Sequence, residues 1–384
     1  MRPVYTRGNR LELLVCGEQY FPLLESAIAA AQREIFLETY IYEDDVTGQR
    51  IAAALAEAAR RGVAVRLLVD GFGSRNLPRE VRDALRAAGV TLLVYRPKIS
   101  PLTLRRERLR RLHRKLAAID GCVAFVGGIN IIDDHNAQLP GPSYDYAVRI
   151  EGPLASEVRE TMASLWRRVA RFHLGRKAGR LPAALACCLP RGDVAAALVV
   201  RDNLRHRTDI EKAYVAAIAS AREEILLASA YFFPGRHFRH ALIEAAQRGV
   251  RVTLLLQGRT DHPLQRYASR ALYGSLLDAG MEIHEYEAGM LHAKVAVIDG
   301  RWATVGSSNL DPFSLLLARE ANVMMEDARF AEKLRSSLQS AIEEGSIRLA
   351  PMHWHEQPWH RRARIWLAYG VVRLLMVIAG AGGE

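Results

Sequence analysis

Two segments of this 384-residue chain carry histidine, lysine and aspartate at one spacing: Leu112-His-Arg-Lys-Leu-Ala-Ala-Ile-Asp-Gly121 and Leu291-His-Ala-Lys-Val-Ala-Val-Ile-Asp-Gly300. Side chains alternate between the faces of a strand, so His113 and Lys115 project side by side, as do His292 and Lys294. The odd spacing of seven puts Asp120 and Asp299 in the turn that follows. Seventeen residues after each histidine stands an asparagine, Asn130 and Asn309, and an acid comes next in each half, Asp145 and Glu320. This set suits phosphoryl transfer without a metal. Ammonium groups neutralise phosphate oxygens and Asn amides add directional donors. One imidazole can attack phosphorus while the other, protonated, supplies the leaving alcohol with a proton. A carboxylate on the far nitrogen of each ring would fix its tautomer. No cluster with metal-ligand spacing competes, because lysine stands where ligands would be needed. His353, His355 and His360 are read as surface residues.

The elements that must hold these residues repeat. Glu34-Ile-Phe-Leu-Glu-Thr-Tyr-Ile-Tyr is answered by Glu224-Ile-Leu-Leu-Ala-Ser-Ala-Tyr-Phe, and Arg61-Gly-Val-Ala-Val-Arg-Leu-Leu-Val-Asp-Gly71 by Arg248-Gly-Val-Arg-Val-Thr-Leu-Leu-Leu-Gln-Gly258. Ala88-Gly-Val answers to Ala279-Gly-Met, and the His-x-Lys blocks come next in the same order. Matched blocks in one order mark a duplication. In each half, short runs rich in Val, Ile and Leu alternate with helix-like stretches such as 21–33 and 48–60, which predicts an α/β sheet flanked by helices. Gly and Pro concentrate between His173 and Asp193 and put a boundary there. The expected organisation is a first repeat over 1–180, a second over 181–350 and a tail over 351–384. The two repeats should pack as one pseudo-twofold body with the site between them.

At the paired His-x-Lys-x-x-x-x-Asp motifs the chain resembles the phospholipase D superfamily, whose hallmark is two such motifs forming one active site. Gly17-Glu-Gln-Tyr, Arg201-Asp-Asn, Ala230-Tyr-Phe-Phe-Pro-Gly235 and Trp302-Ala-Thr-Val-Gly-Ser-Ser-Asn-Leu-Asp-Pro312 are similar to bacterial cardiolipin synthases of the B type. The likeness spans nearly the whole chain to about Gly345. It implies ping-pong phosphatidyl transfer through a phosphohistidine, with cardiolipin formed from phosphatidylglycerol and a second phospholipid, such as phosphatidylethanolamine, and no cofactor. Carried over, His113 and His292 are nucleophile and general acid/base, His113 being the choice for nucleophile by analogy. Lys115, Lys294, Asn130 and Asn309 bind phosphate, and Asp145 and Glu320 orient the rings. Asp120 and Asp299 complete the catalytic motifs as supports, although each precedes glycine and equally suits a plain Asp-Gly turn. Ser307 would add a hydroxyl to the phosphate where its counterpart Gly128 has none.

Composition fits a phosphate-bearing partner without choosing one. Fifty per cent hydrophobic and 25 per cent charged residues exclude disordered and fibrous classes, and a mean hydropathy of −0.04 argues against a polytopic membrane protein. The charge is +11, yet only six of the 53 basic residues are lysine, and two of those occupy equivalent motif positions. The run Arg105–Lys115 holds seven cations and one anion, and next to a phosphate site it would draw anionic headgroups. Residues 365–380 are apolar save Arg373, too short to span a bilayer, and are preceded by Trp354, Trp359, Arg361, Arg362 and Arg364. That pattern suits an interfacial anchor, against the alternative of a helix packed on the core. Four scattered cysteines (Cys16, Cys122, Cys187, Cys188) and no signal-peptide-like N-terminus point to a reducing compartment, hence the cytoplasmic face of a bacterial membrane. Hydrolysis of a phospholipid or, less well supported, a nucleic acid would use the same residues. A catalytically silent lipid-binding protein is disfavoured by two intact motifs.

Overall fold

The computed structural model describes residues 3–97, 110–135, 141–174, 189–202, 206–259, 263–311, 318–351, 354 and 358–378. Its first half runs β1 (Thr6–Val15), α1 (Cys16–Ala30), β2 (Glu34–Thr39), α2 (Val46–Arg60), β3 (Ala64–Asp70), α3 (Arg79–Ala87), β4 (Thr91–Tyr95), β5 (Arg111–Leu112), β6 (Lys115–Ile119), β7 (Val123–Gly127), β8 (Ser143–Tyr144), β9 (Tyr146–Glu151) and α4 (Pro153–Leu174). The second runs β10 (Val194–Arg201), α5 (Asp209–Ser220), β11 (Glu224–Ser229), α6 (Arg236–Gln247), β12 (Arg251–Gln257), α7 (Pro263–Asp278), β13 (Glu282–Tyr286), β14 (Met290–Leu291), β15 (Lys294–Ile298), β16 (Trp302–Gly306), β17 (Ala318–Glu326), α8 (Ala328–Gly345), β18 (Ser346–Arg348) and α9 (Trp359–Ile378).

The predicted α/β duplication is what is found. Strand order is β4-β3-β2-β6-β7-β9-β1 in the first half and β10-β17-β16-β15-β11-β12-β13-β18 in the second, and β1 pairs antiparallel with β10, so one sheet is continuous through both. The innermost strands are buried along their whole length because both faces are covered, and the charged residues among them, Glu34, Glu38, Lys115 and Lys294, are held in hydrogen bonds. Every residue of β2, β6 and β15 is buried. Helices α1 to α3 cover one core around Leu24, Leu55 and Leu67, and α5 to α7 cover its counterpart around Tyr214, Leu242 and Leu276. The third core is common property: Val158 and Trp166 of α4 and Leu334 and Leu338 of α8 pack with Leu116, Val148, Val295 and Val323. Each of these long helices also touches the first strand of the opposite half, α4 on β10 and α8 on β1.

Two expectations fall wholly or partly elsewhere. Most of the basic run lies outside the described residues, which resume at Arg110, as do Cys187, Cys188, His353 and His355; Cys16 and Cys122 are in no disulfide. The tail forms α9, which packs on α7 by burying Ile365, Ala368 and Val372. Its other side displays Trp359, Trp366, Leu367, Val371 and Leu374. Packing and display therefore coexist on one helix, and no helix among the described residues is long and apolar enough to cross a membrane.

Candidate active site

The two histidines are held by the opposite halves. Strand β5, just before His113, pairs in parallel with β17, and His113 N–H donates to Arg319 O at 3.0 Å. Strand β14, just before His292, pairs in the same sense with β8, and His292 N–H donates to Tyr144 O at 2.8 Å. Each ladder leads into the acid one residue on. His113 Nδ1 thus lies 3.1 Å from Glu320 Oε2, and His292 Nδ1 2.6 Å from Asp145 Oδ2. The acids foreseen as ring partners pair crosswise between the repeats.

Further supports sit at matching positions. Asp70 Oδ2 accepts Leu112 N–H at 2.7 Å, and in the other half Gln257 Oε1 accepts Leu291 N–H at 2.5 Å. Sequence reasoning passed over both, although each stands just before the glycine that ends its matched block, 61–71 or 248–258. Lys115 Nζ donates to His113 O at 2.8 Å, and Lys294 Nζ likewise to His292 O. Lys294 also lies 3.8 Å from Asp145. Asn130 turns its Oδ1 to Ile41 N–H at 3.1 Å, which leaves the amide nitrogen for a ligand, and Asn309 is buried beside Leu310. The ring of Tyr40 stands 4.7 Å from that of His113 and 5.3 Å from Lys115 Nζ, and Ala230 occupies the equivalent place in the second half.

Three expected roles change. Asp120 and Asp299 close the far ends of β6 and β15, five residues or roughly 16 Å from the lysines at strand geometry. Both have positive φ (52° and 49°). Asp120 accepts the N–H groups of Gln32, Arg33 and Glu34, all at 2.9 Å, and Asp299 those of Arg222, Glu223 and Glu224 at 2.9–3.0 Å. They are Asp-Gly turns that tie β2 and β11 to their neighbours and do not reach the reacting centre. Ser307 is fully buried, and its hydroxyl donates to Glu320 Oε2 at 2.5 Å rather than facing a phosphate. The counterpart Gly128 is required for a related reason: a Cβ there would run into both carboxylate oxygens of Asp145. Asp145, one methylene shorter than Glu320, keeps its carboxylate close to the backbone and fills the space that the Ser307 side chain takes in the other half.

A second asymmetry lies behind the acids. Arg201 stands opposite Glu320 in the β10–β17 ladder, fully buried, with Nη2 3.7 Å from Glu320 Oε1. The residue following β1 in the equivalent place is Cys16, whose N–H donates to Asp145 O at 2.8 Å and whose thiol burial pushes up to about 12. Burial dominates the titration of the whole centre. It holds His292 down at about 4 and His113 below the ordinary imidazole range. It also lowers Lys115 to about 7 and Lys294 to about 8, each opposed by the carboxylates, with Lys294 adding its repulsion at Lys115. Burial would raise Asp145 and Glu320, but Lys294 and His292 outweigh it for the first, and His113 and Arg201 for the second, so both stay below the usual range. A phosphodiester entering here brings a negative charge to two ammonium groups, and its field raises both imidazoles toward protonation.

No group of three potential metal ligands occurs among the described residues. A duplicated α/β body that crosses two His-x-Lys pairs over one buried centre defines a phospholipase D-like phosphodiester enzyme. The family description "Cardiolipin synthase, PLD-like domain" matches residues 24–166 and 214–342, and the chain belongs to that family. It is 40% identical to cardiolipin synthase B of Escherichia coli strain K12 over 387 aligned positions, covering 99% of this chain and 92% of that protein. It is 32% identical to the major cardiolipin synthase of Bacillus subtilis, covering 88% and 70%. Among solved structures, the phosphatidylserine synthase of Haemophilus influenzae shares the fold at a TM-score of 0.68 and 14% identity, covering 96% and 95% of the two chains.

Proposed function

We propose that this chain is a cardiolipin synthase that moves a phosphatidyl group between two molecules of phosphatidylglycerol. The observation that carries the reading is the crossed pairing of His113 with Glu320 and His292 with Asp145, which delivers two oriented imidazoles and two lysines to one centre. The family relatives support the substrate class.

Lys115, Lys294 and the Asn130 and Asn309 amides hold the phosphodiester oxygens and stabilise the added charge at five-coordinate phosphorus. His113 Nε2 attacks phosphorus. The phosphorus–oxygen bond to the headgroup glycerol breaks as His292, protonated, transfers its proton to that oxygen, and free glycerol leaves. His292, now neutral, takes the proton of the second phosphatidylglycerol's hydroxyl, whose oxygen attacks phosphorus. The nitrogen–phosphorus bond breaks, and cardiolipin departs with both histidines restored. Assigning the attack to His113 follows the partners. Glu320 divides its charge among His113, Ser307 and Arg201, whereas Asp145 gives His292 the shorter contact of 2.6 Å, and that contact, together with the incoming phosphodiester's charge, opposes the burial that otherwise keeps His292 neutral.

The chain works as a peripheral protein on the cytoplasmic face of a bacterial membrane. Trp359, Trp366, Leu367, Val371 and Leu374 recur at helical spacing on the open side of α9, with Arg364 and Arg373 exposed among them, as an interfacial helix on anionic lipid requires. Inside, the Tyr369 ring lies tilted against that of Phe233 with centroids 5.5 Å apart, and Phe233 N–H donates to Leu310 O, the residue after Asn309. The lipid-facing helix is thereby two contacts from the phosphate-binding loop.

The test is mass spectrometry of products from phosphatidylglycerol mixed micelles, with phosphatidylethanolamine added in a second series. Cardiolipin and glycerol in equal amounts are expected, absent in His113→Ala and His292→Ala. Phosphatidic acid as the sole lipid product would replace this reading with hydrolysis.

A further inference from the structure

A second concentration of positive charge lies behind Glu320, on the side away from the reacting phosphorus. It lines an open cavity of about 680 Å³ between α4, the end of β10 and the start of β17. Arg114 and Arg201 form its buried floor, Arg167 and Arg168 its exposed rim, and Arg319 and His206 its sides; Glu160 and Asp202 are the acids that also line it. Arg114 stands between His113 and Lys115, so strand alternation sends it to the opposite face, where Glu38 holds it through bonds of 2.7–2.9 Å. The cavity is therefore separate from the catalytic centre, though Arg201 touches both.

The charges in this cavity do not balance locally. Arg114 is committed to Glu38, Arg201 to Glu320 and, at 3.9 Å, Arg167 to Glu160. Arg319 donates to the Tyr95 hydroxyl at 3.3 Å, and neither it nor Arg168 forms an ion pair among the described residues. Partial burial and repulsion from Arg319 and Arg114 outweigh the attraction of Asp202 and lower the Arg168 guanidinium below its ordinary range. Guanidinium groups brought together at a cavity wall repel one another until an anion enters, and their planar forks match phosphate oxygens.

We propose that this cavity is a second anion site, taking the phosphate of a phosphomonoester or phosphodiester. The volume accommodates a glycerophosphate-sized group, and the floor and rim supply donors from two depths. Because Arg201 forms part of the floor and lies 3.7 Å from Glu320, an occupant acts on the carboxylate that orients His113.

The site predicts a stoichiometry. Calorimetric titration of the full chain with sn-glycerol 1-phosphate should find two sites. Lys115→Met, which removes an ammonium from the catalytic centre, should leave one. Arg168→Gln combined with Arg319→Gln, both at accessible positions, should also leave one, and all three substitutions together none. Dihexanoylphosphatidylglycerol added as monomer to Lys115→Met then identifies the occupant: displacement of glycerophosphate supports a lipid headgroup, and retention supports a soluble phosphate at the same site. A single site in the unaltered chain, or two sites in the Arg168/Arg319 variant, overturns the proposal.

Discussion

Replacing Lys115 by methionine should destroy activity while making the protein more stable, and increasingly so as pH falls. Lys115 is 3% exposed and makes one hydrogen bond, to His113 O, and burial holds its ammonium at about 7 against an ordinary 10.5. The unfolded chain therefore binds this proton more tightly than the folded one between pH 7 and 10.5, so the residue's contribution makes the protein less stable as pH falls through that window. With one pKa unit worth about 1.4 kcal/mol, the destabilisation grows by roughly 3 kcal/mol between pH 9 and pH 6. Methionine keeps the stem without the charge and removes this dependence. For 384 residues at about 2.1 cal/mol/K each, 1 kcal/mol moves Tm by about 1.2 °C. The Tm of Lys115→Met minus that of the parent should then rise by about 3–4 °C on going from pH 9 to pH 6, read by differential scanning fluorimetry. Cardiolipin formation should fall at least about 100-fold, the scale for loss of a group that stabilises transition-state charge. A Tm difference that is flat or shrinks toward pH 6 would refute the reasoning, as would activity within tenfold of the parent.

Other outcomes follow from the same geometry. Gly128→Ala should push Asp145 off His292 and cut kcat by at least about tenfold with only a small change in Tm, whereas Ala at Gly249, where a Cβ meets nothing within 4 Å but φ is +88°, should lower Tm alone. Asp299→Asn should lose about 1–3 kcal/mol of stability as its charged bonds to three amides weaken, with kcat within twofold; a large loss of kcat at unchanged Tm would return it to the reacting centre. In the free enzyme, kcat/KM should decline as pH rises past 7 to 8, where Lys115 and then Lys294 lose the protons that bind phosphate, and Lys115→Arg should remove the first step and move the onset of that limb up to that of Lys294. Trp366→Asp with Leu367→Asp should reduce sedimentation with phosphatidylglycerol vesicles while sparing turnover of detergent-dispersed lipid; equal loss of both would count against α9 as the lipid contact.

The duplication, the strand character of the motif segments and the pairing of each histidine with the lysine two residues on were all legible in the sequence, because they depend on periodicity and on spacing within one half. What depends on contact between halves was not. Nothing in the spacing from His113 to Asp145 says that Asp145 belongs to His292, since that pairing is made by β8 meeting β14. The crossing also explains the unequal spacings of 32 and 28 residues: each acid is placed by its ladder to the opposite histidine, so the loop to its own is free to differ. Ser307 misled because a hydroxyl two residues before Asn309 suits a phosphate equally well, and only the length of Glu320 brings a carboxylate to it first. Arg201 stood in a stretch that resembles the synthases, yet nothing in its spacing tied it to Glu320, whereas Tyr40, Asp70 and Gln257 stood in the matched blocks and were recoverable by asking what each does there.

The β1–β10 seam makes the chain a dimer that cannot dissociate, and covalent linkage of two like units has a genetic consequence. In an assembly of identical subunits every substitution appears twice, so glycine at the place of Gly128 would come with glycine at that of Ser307, and both acids would be Asp or both Glu. Once a single gene encodes both copies, each can be altered alone. Gly128 with Asp145, Ser307 with Glu320, Cys16 against Arg201 and Tyr40 against Ala230 are pairs of that kind. Fusion is what allows the two imidazoles to sit in unlike surroundings, as the separate roles proposed for them require.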